Sequence, residues 1–108
     1  MSGMKTEVYD LLIEAAAHAE RRALPGNIRQ LVRRTIGNLA FEPRPHTSEA
    51  LDTSDLDVPE GVELRRIKLE YWRVIYAIHD AEKWVWVWGV RRRPPYDYQD
   101  LAEFIARL

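Results

Sequence analysis

Three consecutive strand-like segments in the second half of the chain constrain its fold more than any other feature. Residues 72–79 and 84–91 are dominated by β-branched and aromatic side chains, and residues 64–69 alternate basic with apolar ones. Only residues 80–83 separate the last two segments, which is the length of a tight turn, so we predict an antiparallel hairpin. The double proline after the third segment ends it, because proline cannot donate to a strand ladder. These segments predict a meandering sheet.

Helical patterns occupy the first part of the chain and its end. Residues 7–13 are predicted to open as a short strand, and the alanine-rich residues 14–23 favour a helix. A turn at residues 25–27 leads into a second helix, whose apolar side chains follow helical spacing until two prolines end it. Residues 97–108 are predicted to form a terminal helix. The elements indicate an α+β fold, a small antiparallel sheet with an N-terminal helical hairpin on one face and a C-terminal helix, and we expect all helices on the same face.

Acidic residues are concentrated in one segment. Six lie between residues 47 and 64, which leaves 11 of the 17 acids for the rest of the chain, against 16 lysines and arginines. Residues 46–63 show little periodicity, which predicts a long acidic loop with one helical turn near residues 48–51. The pattern indicates a basic body with an acidic insertion, and the alternative is ordinary surface charge beside a solvated loop. The six acids are Glu49, Asp52, Asp55, Asp57, Glu60 and Glu63.

Strand side chains alternate between two faces, so the parity of a residue predicts its neighbours. Arg66 and Lys68 share one face of the first segment, and Arg73 lies on the corresponding face of the second. We expect these three on an open basic face, together with Arg91 or Arg93 from the third segment. Large indole rings fill a core more often than they stack on bases, although a base-stacking platform is the alternative. The side chains predicted to pack against the helices are Ile67, Leu69, Val74, Tyr76, Ile78, Trp84, Trp86 and Trp88.

Several chemistries are absent from the sequence. The chain has no cysteine, which excludes a disulfide framework, a thiolate metal site and a cysteine nucleophile. His18, His46 and His79 fall on different predicted elements without ligand-like spacing, and there is no glycine-rich phosphate loop, so we expect neither a metal nor a cofactor. The 108 residues suit a single domain, 1–108. The longest apolar run is strand-sized, so we expect no membrane segment and a cytoplasmic protein.

Two stretches, RRIKLEYWRVIYAIHD and KWVWVWGVRRRPPYDY, resemble the C-terminal half of RelE/ParE toxins. Their shared pattern is a basic-apolar-Lys strand, an aromatic-Arg-Val strand, a hydrophobic partner strand, and an arginine followed by a tyrosine. The stretch LPGNIRQLVRRTIGNLAFEPRP is similar to the helical hairpin of the same family. The resemblance covers nearly the whole chain apart from the acidic segment. It departs at Arg-Ile-Lys, which replaces Lys-Ile-Lys, and at Pro94-Pro95, which tightens the path from arginine to tyrosine.

The resemblance implies a toxin of a type II toxin–antitoxin pair, held inactive by a cognate antitoxin in a hetero-oligomer. In the RelE branch it implies an endoribonuclease that cleaves mRNA at the ribosome without metal. In the ParE branch it implies an inhibitor of DNA gyrase. A relative of the same fold that has lost toxicity and only forms complexes is the third possibility.

The resemblance also implies catalytic residues. Arg66 and Lys68 match the basic pair of the first core strand, and Arg73 matches the arginine of the second. The arginine that ends the last strand matches Arg93, and the tyrosine that follows matches Tyr98. The alternatives at these two positions are Arg91, Arg92 and Tyr96.

RNA cleavage by its own 2′-hydroxyl needs a base, cations for the phosphate and an acid for the leaving oxygen. Lys68 is the candidate base, activated by its like-charged neighbours, and Tyr98 orients the base or donates a proton. Arg73 and Arg93 are the candidate phosphate ligands. The alternative is a basic face that only docks an acidic antitoxin or a nucleic acid.

The acidic loop carries a further hypothesis. We expect it either near the rim of the basic face, where it weakens nucleic-acid binding in the free protein, or pointing away as a solvated linker. Attraction between exposed charges is worth about 1 kcal/mol per pair and is screened by salt. Neutralising Asp52, Asp55 and Asp57 separates the two possibilities.

Overall fold

The computed structural model describes residues 8–92 and 98–108, and the side chains of residues 8–92 and 101–108. Strands and helices follow one another along these ranges in the order expected from the sequence, with one additional strand. The elements are β1 (Asp10–Ile13), α1 (Ala15–Arg22), α2 (Gly26–Asn38), β2 (Ser48–Ala50), β3 (Val62–Leu69), β4 (Trp72–His79), β5 (Trp84–Arg92) and α3 (Tyr98–Ala106). None of the helices in this described part of the chain is long and apolar enough to cross a membrane.

The strands form one sheet in the order β1-β5-β4-β3-β2. The meander β2 to β5 is antiparallel as predicted, but β1 pairs with β5 in parallel, so the sheet is mixed. Strand β1 begins where the Asp10 amide donates to the Lys83 carbonyl at 2.8 Å, and it ends where the Glu14 amide donates to Val87 at 3.0 Å. Parallel neighbours cannot be joined by a tight turn, which is consistent with the long excursion of the chain between β1 and β5.

The helical hairpin covers one face of the sheet. Helix α2 presents Val32 and Ile36, which are almost fully buried, to a layer of strand residues that includes Tyr76 and Val87. Each such aliphatic side chain contributes roughly 1.5–3 kcal/mol when it leaves water. The Tyr76 hydroxyl stays satisfied because it donates to the Pro43 carbonyl at 2.7 Å. This layer fixes the hairpin on the sheet.

Helix α3 covers the opposite face, so the expectation that all helices share one face is wrong. Phe104 meets Trp86 edge to face, with ring centroids 6.0 Å apart, and lies 6.2 Å from Trp88. The tryptophans therefore do pack against a helix, but on the other side of the sheet from Tyr76. The pairing of β4 with β5 explains the difference, because Tyr76 lies opposite Val87 and brings valines, not indoles, onto the hairpin side.

The segment predicted as a helical turn at residues 48–51 is instead the edge strand β2. Ser48 pairs with Ile67 and Ala50 with Arg65. Helix propensity is a weak preference over so few residues, whereas the free edge of β3 offers backbone partners. The change matters because it brings an acidic side chain, Glu49, beside Arg66.

Candidate functional site

Four basic side chains come together on the α3 side of the sheet, and we call them the basic row. Lys68 on β3 lies directly opposite Arg73 on β4, and Arg73 lies opposite Arg91 on β5. Arg66, two residues before Lys68, extends the row towards β2. Like charges on directly opposed strand positions repel one another, so anions and carbonyl groups beside the row stabilise it. The row consists of Arg66, Lys68, Arg73 and Arg91.

Glu49 on β2 supplies one compensating anion. Its carboxylate oxygen accepts from Arg66 Nε and lies near Arg66 Nη2, both at 2.8 Å, and it lies 3.1 Å from Lys68 Nζ. Hydrogen bonds from Lys68 and then from Arg66 hold the pKa of Glu49 below its usual value. One carboxylate thus occupies the space between two of the cations.

Arg73 is held by the protein's own backbone. Its Nη1 donates to the Glu70 carbonyl at 2.9 Å and to the Trp72 carbonyl at 2.8 Å. Glu70 has φ of 58°, so this guanidinium braces a strained turn between β3 and β4. Its Nε is buried without a hydrogen-bond partner among the described residues. Arg73 lies on the face opposite Tyr76, as predicted, but this face is not open, because α3 packs on it and Arg73 is half-buried. Arg73 therefore combines a structural role with any role at the site.

Arg91 reaches the row through a bulge. The pairing of β4 with β5 slips between Ile75 and Tyr76, so that Trp88 is the extra residue and parity reverses after it. Strict alternation puts Arg91 on the face opposite the tryptophans, and this expectation is wrong. Its guanidinium carbon lies 4.5 Å from the Trp88 ring centroid, on the same face. The basic row and the tryptophans therefore share a face.

Arg91 is also paired with a carboxylate. Glu20 of α1 forms an ion pair with it and accepts from the Val90 amide at 3.0 Å, beyond the end of β1. Gly89 makes room for this arrangement, since a Cβ there would approach Arg91 Nη1 to 2.9 Å and Glu20 Oε1 to 3.1 Å. The absence of a side chain at Gly89 therefore leaves space for the ion pair between Arg91 and Glu20.

Of the remaining predicted residues, the structure describes the side chain of Arg92 alone, and it stands apart from the row. Arg92 is exposed on the hairpin side, where its guanidinium carbon lies 5.6 Å from the Trp72 ring centroid. Arg93 and Tyr96 lie outside the described residues. Tyr98 is the first residue of α3, and its side chain is also outside the described part. Of the two candidate arginines that the structure describes, Arg91 and Arg92, Arg91 is the one that joins the row.

A second polar network holds the chain that leads into β2. Arg44 donates from Nε to Glu63 at 2.8 Å and makes a two-point contact with Asp80, at 2.8 Å and 3.1 Å. The Tyr9 hydroxyl adds a bond to Asp80 at 2.7 Å. Bonds from Arg44 and then from Tyr9 lower the pKa of Asp80 to about 2. This network anchors the segment that delivers Glu49 to the row.

The acidic loop lies on the same face as the row. Leu56 and Val58 pack against the core under α3, which contradicts a linker pointing away from the protein. Asp52 accepts from the Ser54 amide at 3.1 Å, and the acid that reaches the cations is Glu49. Sequence analysis missed the role of Glu49, because nothing in the acidic pattern distinguishes it from the five other acids of the segment.

Solved structures of similar shape decide the fold. A chain of the archaeal RelE–RelB complex from Pyrococcus horikoshii matches with a TM-score of 0.68 at 20% identity, over 82% of this chain and 99% of that one. The chain has the RelE fold. A chain of the Mycobacterium tuberculosis toxin–antitoxin complex RelBE2 matches with 0.61 at 23% identity, over 82% and 95%. The isolated Escherichia coli RelE toxin matches with 0.57 at 21% identity, over 92% and 97%.

The RelE fold confirms the predicted fold class. No protein-family model matches the sequence, and no curated protein sequence matches it. The likeness is one of backbone architecture. In this chain the basic row runs across β3, β4 and β5, which are the three inner strands of the sheet.

Proposed function

We propose that the chain is the toxin of a toxin–antitoxin pair and that it cleaves mRNA at the ribosome without a metal ion. The observation that carries this proposal is the basic row on a RelE fold, in which cations from three adjacent strands converge on one face. Guanidinium groups bind phosphate oxygens in a two-point fashion, and a row of them suits a phosphodiester.

The row supports the electrostatic part of RNA cleavage. The 2′-oxygen forms a bond to the adjacent phosphorus while the bond to the 5′-oxygen breaks, leaving a cyclic phosphate and a 5′-hydroxyl. Negative charge accumulates on the phosphate oxygens, where prearranged cations stabilise it strongly. Arg66, Arg73 and Arg91 are proposed for this role.

The residues that carry out the proton transfers are also part of the proposal. One group must take the proton of the 2′-hydroxyl and another must give one to the leaving 5′-oxygen. Lys68 and Tyr98 remain the proposed pair, and Arg93 remains a proposed phosphate ligand. The ion pair with Glu49 favours the protonated form of Lys68, so this pair has to open and the ammonium group has to release its proton to solvent before Lys68 can take the proton of the 2′-hydroxyl; RNA binding and displacement of Glu49 are therefore linked in this scheme.

An antitoxin is the proposed protein partner. Two of the similar solved structures are named as complexes, RelE with RelB and the toxin–antitoxin complex RelBE2. An acidic segment of such a partner complements the basic row, just as Glu49 complements part of it within this chain.

Induced expression tests the proposal. We expect growth arrest with new mRNA 5′ ends, mapped by sequencing transcript ends, and loss of both in an Arg66→Gln, Lys68→Gln double variant. Arg107→Gln is the matched control, because its exposed guanidinium pairs with Glu14 and not with residues of the row. Intact mRNA together with gyrase-dependent DNA breaks would contradict the proposal and indicate gyrase inhibition instead.

A further inference from the structure

The turn between β3 and β4 carries an exposed aromatic ring. Leu69 and Trp72 are the last paired residues of the two strands, so Glu70 and Tyr71 form the turn. Tyr71 is 60% exposed, whereas Tyr76 on the same hairpin of strands is fully buried. The ring of Tyr71 is therefore available to a ligand and adds little to the core.

The requirements of the turn do not account for this tyrosine. Two-residue hairpin turns favour glycine, asparagine and aspartate, because one or both central residues adopt a positive φ. Here Glu70 takes that conformation, with φ of 58°, although it is not one of those residues. Neither residue is one that a tight turn favours, which indicates a role beyond reversing the chain.

The backbone is held firmly on both sides of Tyr71. Arg73 Nη1 donates to the carbonyl groups of Glu70 and Trp72, the residues before and after the tyrosine. Trp72 packs against the core under the helical hairpin. A tyrosine side chain has only two torsions to order, so a ring on a fixed backbone loses little entropy when a ligand covers it. The turn thus presents a preorganised aromatic surface.

The turn lies at one end of the basic row. Lys68 and Arg73 are directly opposed, and Tyr71 precedes Arg73 by two residues. A strand advances about 3.3 Å per residue, so the two backbone positions are about 7 Å apart. Alternation along β4 turns Trp72 to the hairpin side and directs positions 71 and 73 to the side of the row. A nucleotide spans such a distance between its phosphate and its base.

The charge of the turn favours a base over a second phosphate. The charged side chain in the turn is the carboxylate of Glu70, which repels phosphate. Tyr71 offers the face of a ring, and every nucleobase has a face that stacks on an aromatic side chain. Cations of the row and the ring of the turn therefore match the two parts of one nucleotide.

We propose that Tyr71 stacks on an unpaired base of the RNA whose phosphate is bound at Arg73. The proposal rests on the proposed function in that the row binds RNA. A base within a duplex is already stacked on its neighbours, so the site requires single-stranded RNA at this nucleotide. Stacking tolerates all four bases, so Tyr71 selects for an unpaired strand and not for a sequence.

A fluorescent base analogue tests the proposal. The probe is a single-stranded 2′-O-methyl RNA hexanucleotide, which cannot be cleaved, with 2-aminopurine at one position at a time. Stacking quenches 2-aminopurine, so we expect quenching at one position by the unchanged protein and none by Tyr71→Leu. We expect the affinity of Tyr71→Leu to fall about tenfold, as when a stacking ring is removed. Tyr71→Phe keeps the ring and is expected to keep both signals.

Two controls separate stacking from other effects. Phe41→Leu removes a ring that is 59% exposed just beyond the end of α2, and it is expected to leave quenching and affinity unchanged. An abasic site at the quenched position removes only the base. If Tyr71 stacks on that base, Tyr71→Leu lowers affinity for the abasic RNA no further.

Three outcomes would overturn the proposal. They are equal quenching by the unchanged protein and Tyr71→Leu, a tenfold loss that persists on the abasic RNA, and equal dependence on Tyr71 when the hexanucleotide is paired in a duplex. Because the probe cannot be cleaved, its binding does not depend on the chemistry. Stacking on Tyr71 by a protein that leaves mRNA intact in cells would refute the proposed cleavage and keep the stacking site.

Discussion

The two basic surfaces of this protein differ in how their charge is held. In the basic row, Glu49 bridges Arg66 and Lys68, and Glu20 holds Arg91. On the outer surface of the α1–α2 hairpin, arginines such as Arg29 are exposed and form no ion pair with the described residues. Paired cations are fixed in direction, which chemistry on a phosphate requires, whereas unpaired arginines attract a polyanion over a longer range without fixing one geometry. The difference is one between cations held in place by carboxylates of the protein and cations that face solvent.

The largest expected effect comes from Arg73→Ala in the row. We expect cleavage to fall by about 10²–10³-fold, as when an oxyanion ligand is removed. Because the guanidinium also binds two turn carbonyls, we expect stability to fall by about 1 kcal/mol in chemical denaturation. Arg92→Ala is the matched control, one strand away on the other face. A folded Arg73 variant with full cleavage activity would break the comparison.

Gly89→Ala tests how far the row depends on its carboxylates. A Cβ there approaches both Arg91 and Glu20, whose side-chain ends must move. We expect a loss of about 1 kcal/mol by thermal melting and a larger proportional loss of cleavage. Gly37→Ala is the control, since a Cβ at Gly37 meets nothing within 4 Å and helix α2 gains stability from alanine. Equal effects on stability at both glycines would refute the account.

Glu49→Gln is expected to expose the cations that it now bridges. We predict a rise in RNA affinity of about threefold to tenfold at low salt, fading as salt increases, because a carboxylate no longer competes with phosphate. The triple change of Asp52, Asp55 and Asp57 to asparagine is the matched control and is expected to have less effect. Fluorescence titration against a labelled RNA stem-loop with 2′-O-methyl groups, which cannot be cleaved, measures both. A larger gain in the triple variant would assign the competition to the outer loop.

The smallest expected effect is a change in the stability of the protein at acidic pH. Asp80 has a pKa lowered to about 2 from 3.8, so its contribution to stability is present above about pH 4 and is lost as pH falls through about 2. Asp80 is about half exposed, which limits the contribution to less than about 1 kcal/mol. In Asp80→Asn, this part of the pH dependence of denaturation should disappear. If the stability of this variant falls at low pH just as that of the unchanged protein does, the Arg44 network does not stabilise the fold.

Local pattern made much of the fold predictable. The strands and the helical hairpin follow from side-chain period and breakers, and within β3 and β4 the parity of Arg66, Lys68 and Arg73 places them on one face as expected. How one strand's faces match the next depends on register, and here a bulge at Trp88 moves Arg91 to the other face. A bulge depends on packing between strands, which alternation along one strand does not encode.

The site was less predictable than the fold for the same reason. Glu49 meets Arg66 only because β2 adds to the edge of β3, and Glu20 meets Arg91 only because α1 lies beyond the end of β1. Both contacts join residues far apart in the chain. The acidic segment has the charge that the row needs, but its composition does not specify which carboxylate arrives.

The parallel pairing of β1 with β5 has a consequence for synthesis. Asp10 finds its partner only when Trp84 has been made, and Glu20 meets Arg91 later still. Until residues 84–92 have been made, the first strand has no neighbouring strand with which to pair. A nascent chain therefore lacks a completed row until β5 has been made, and the chemistry proposed for the row has to wait for that strand.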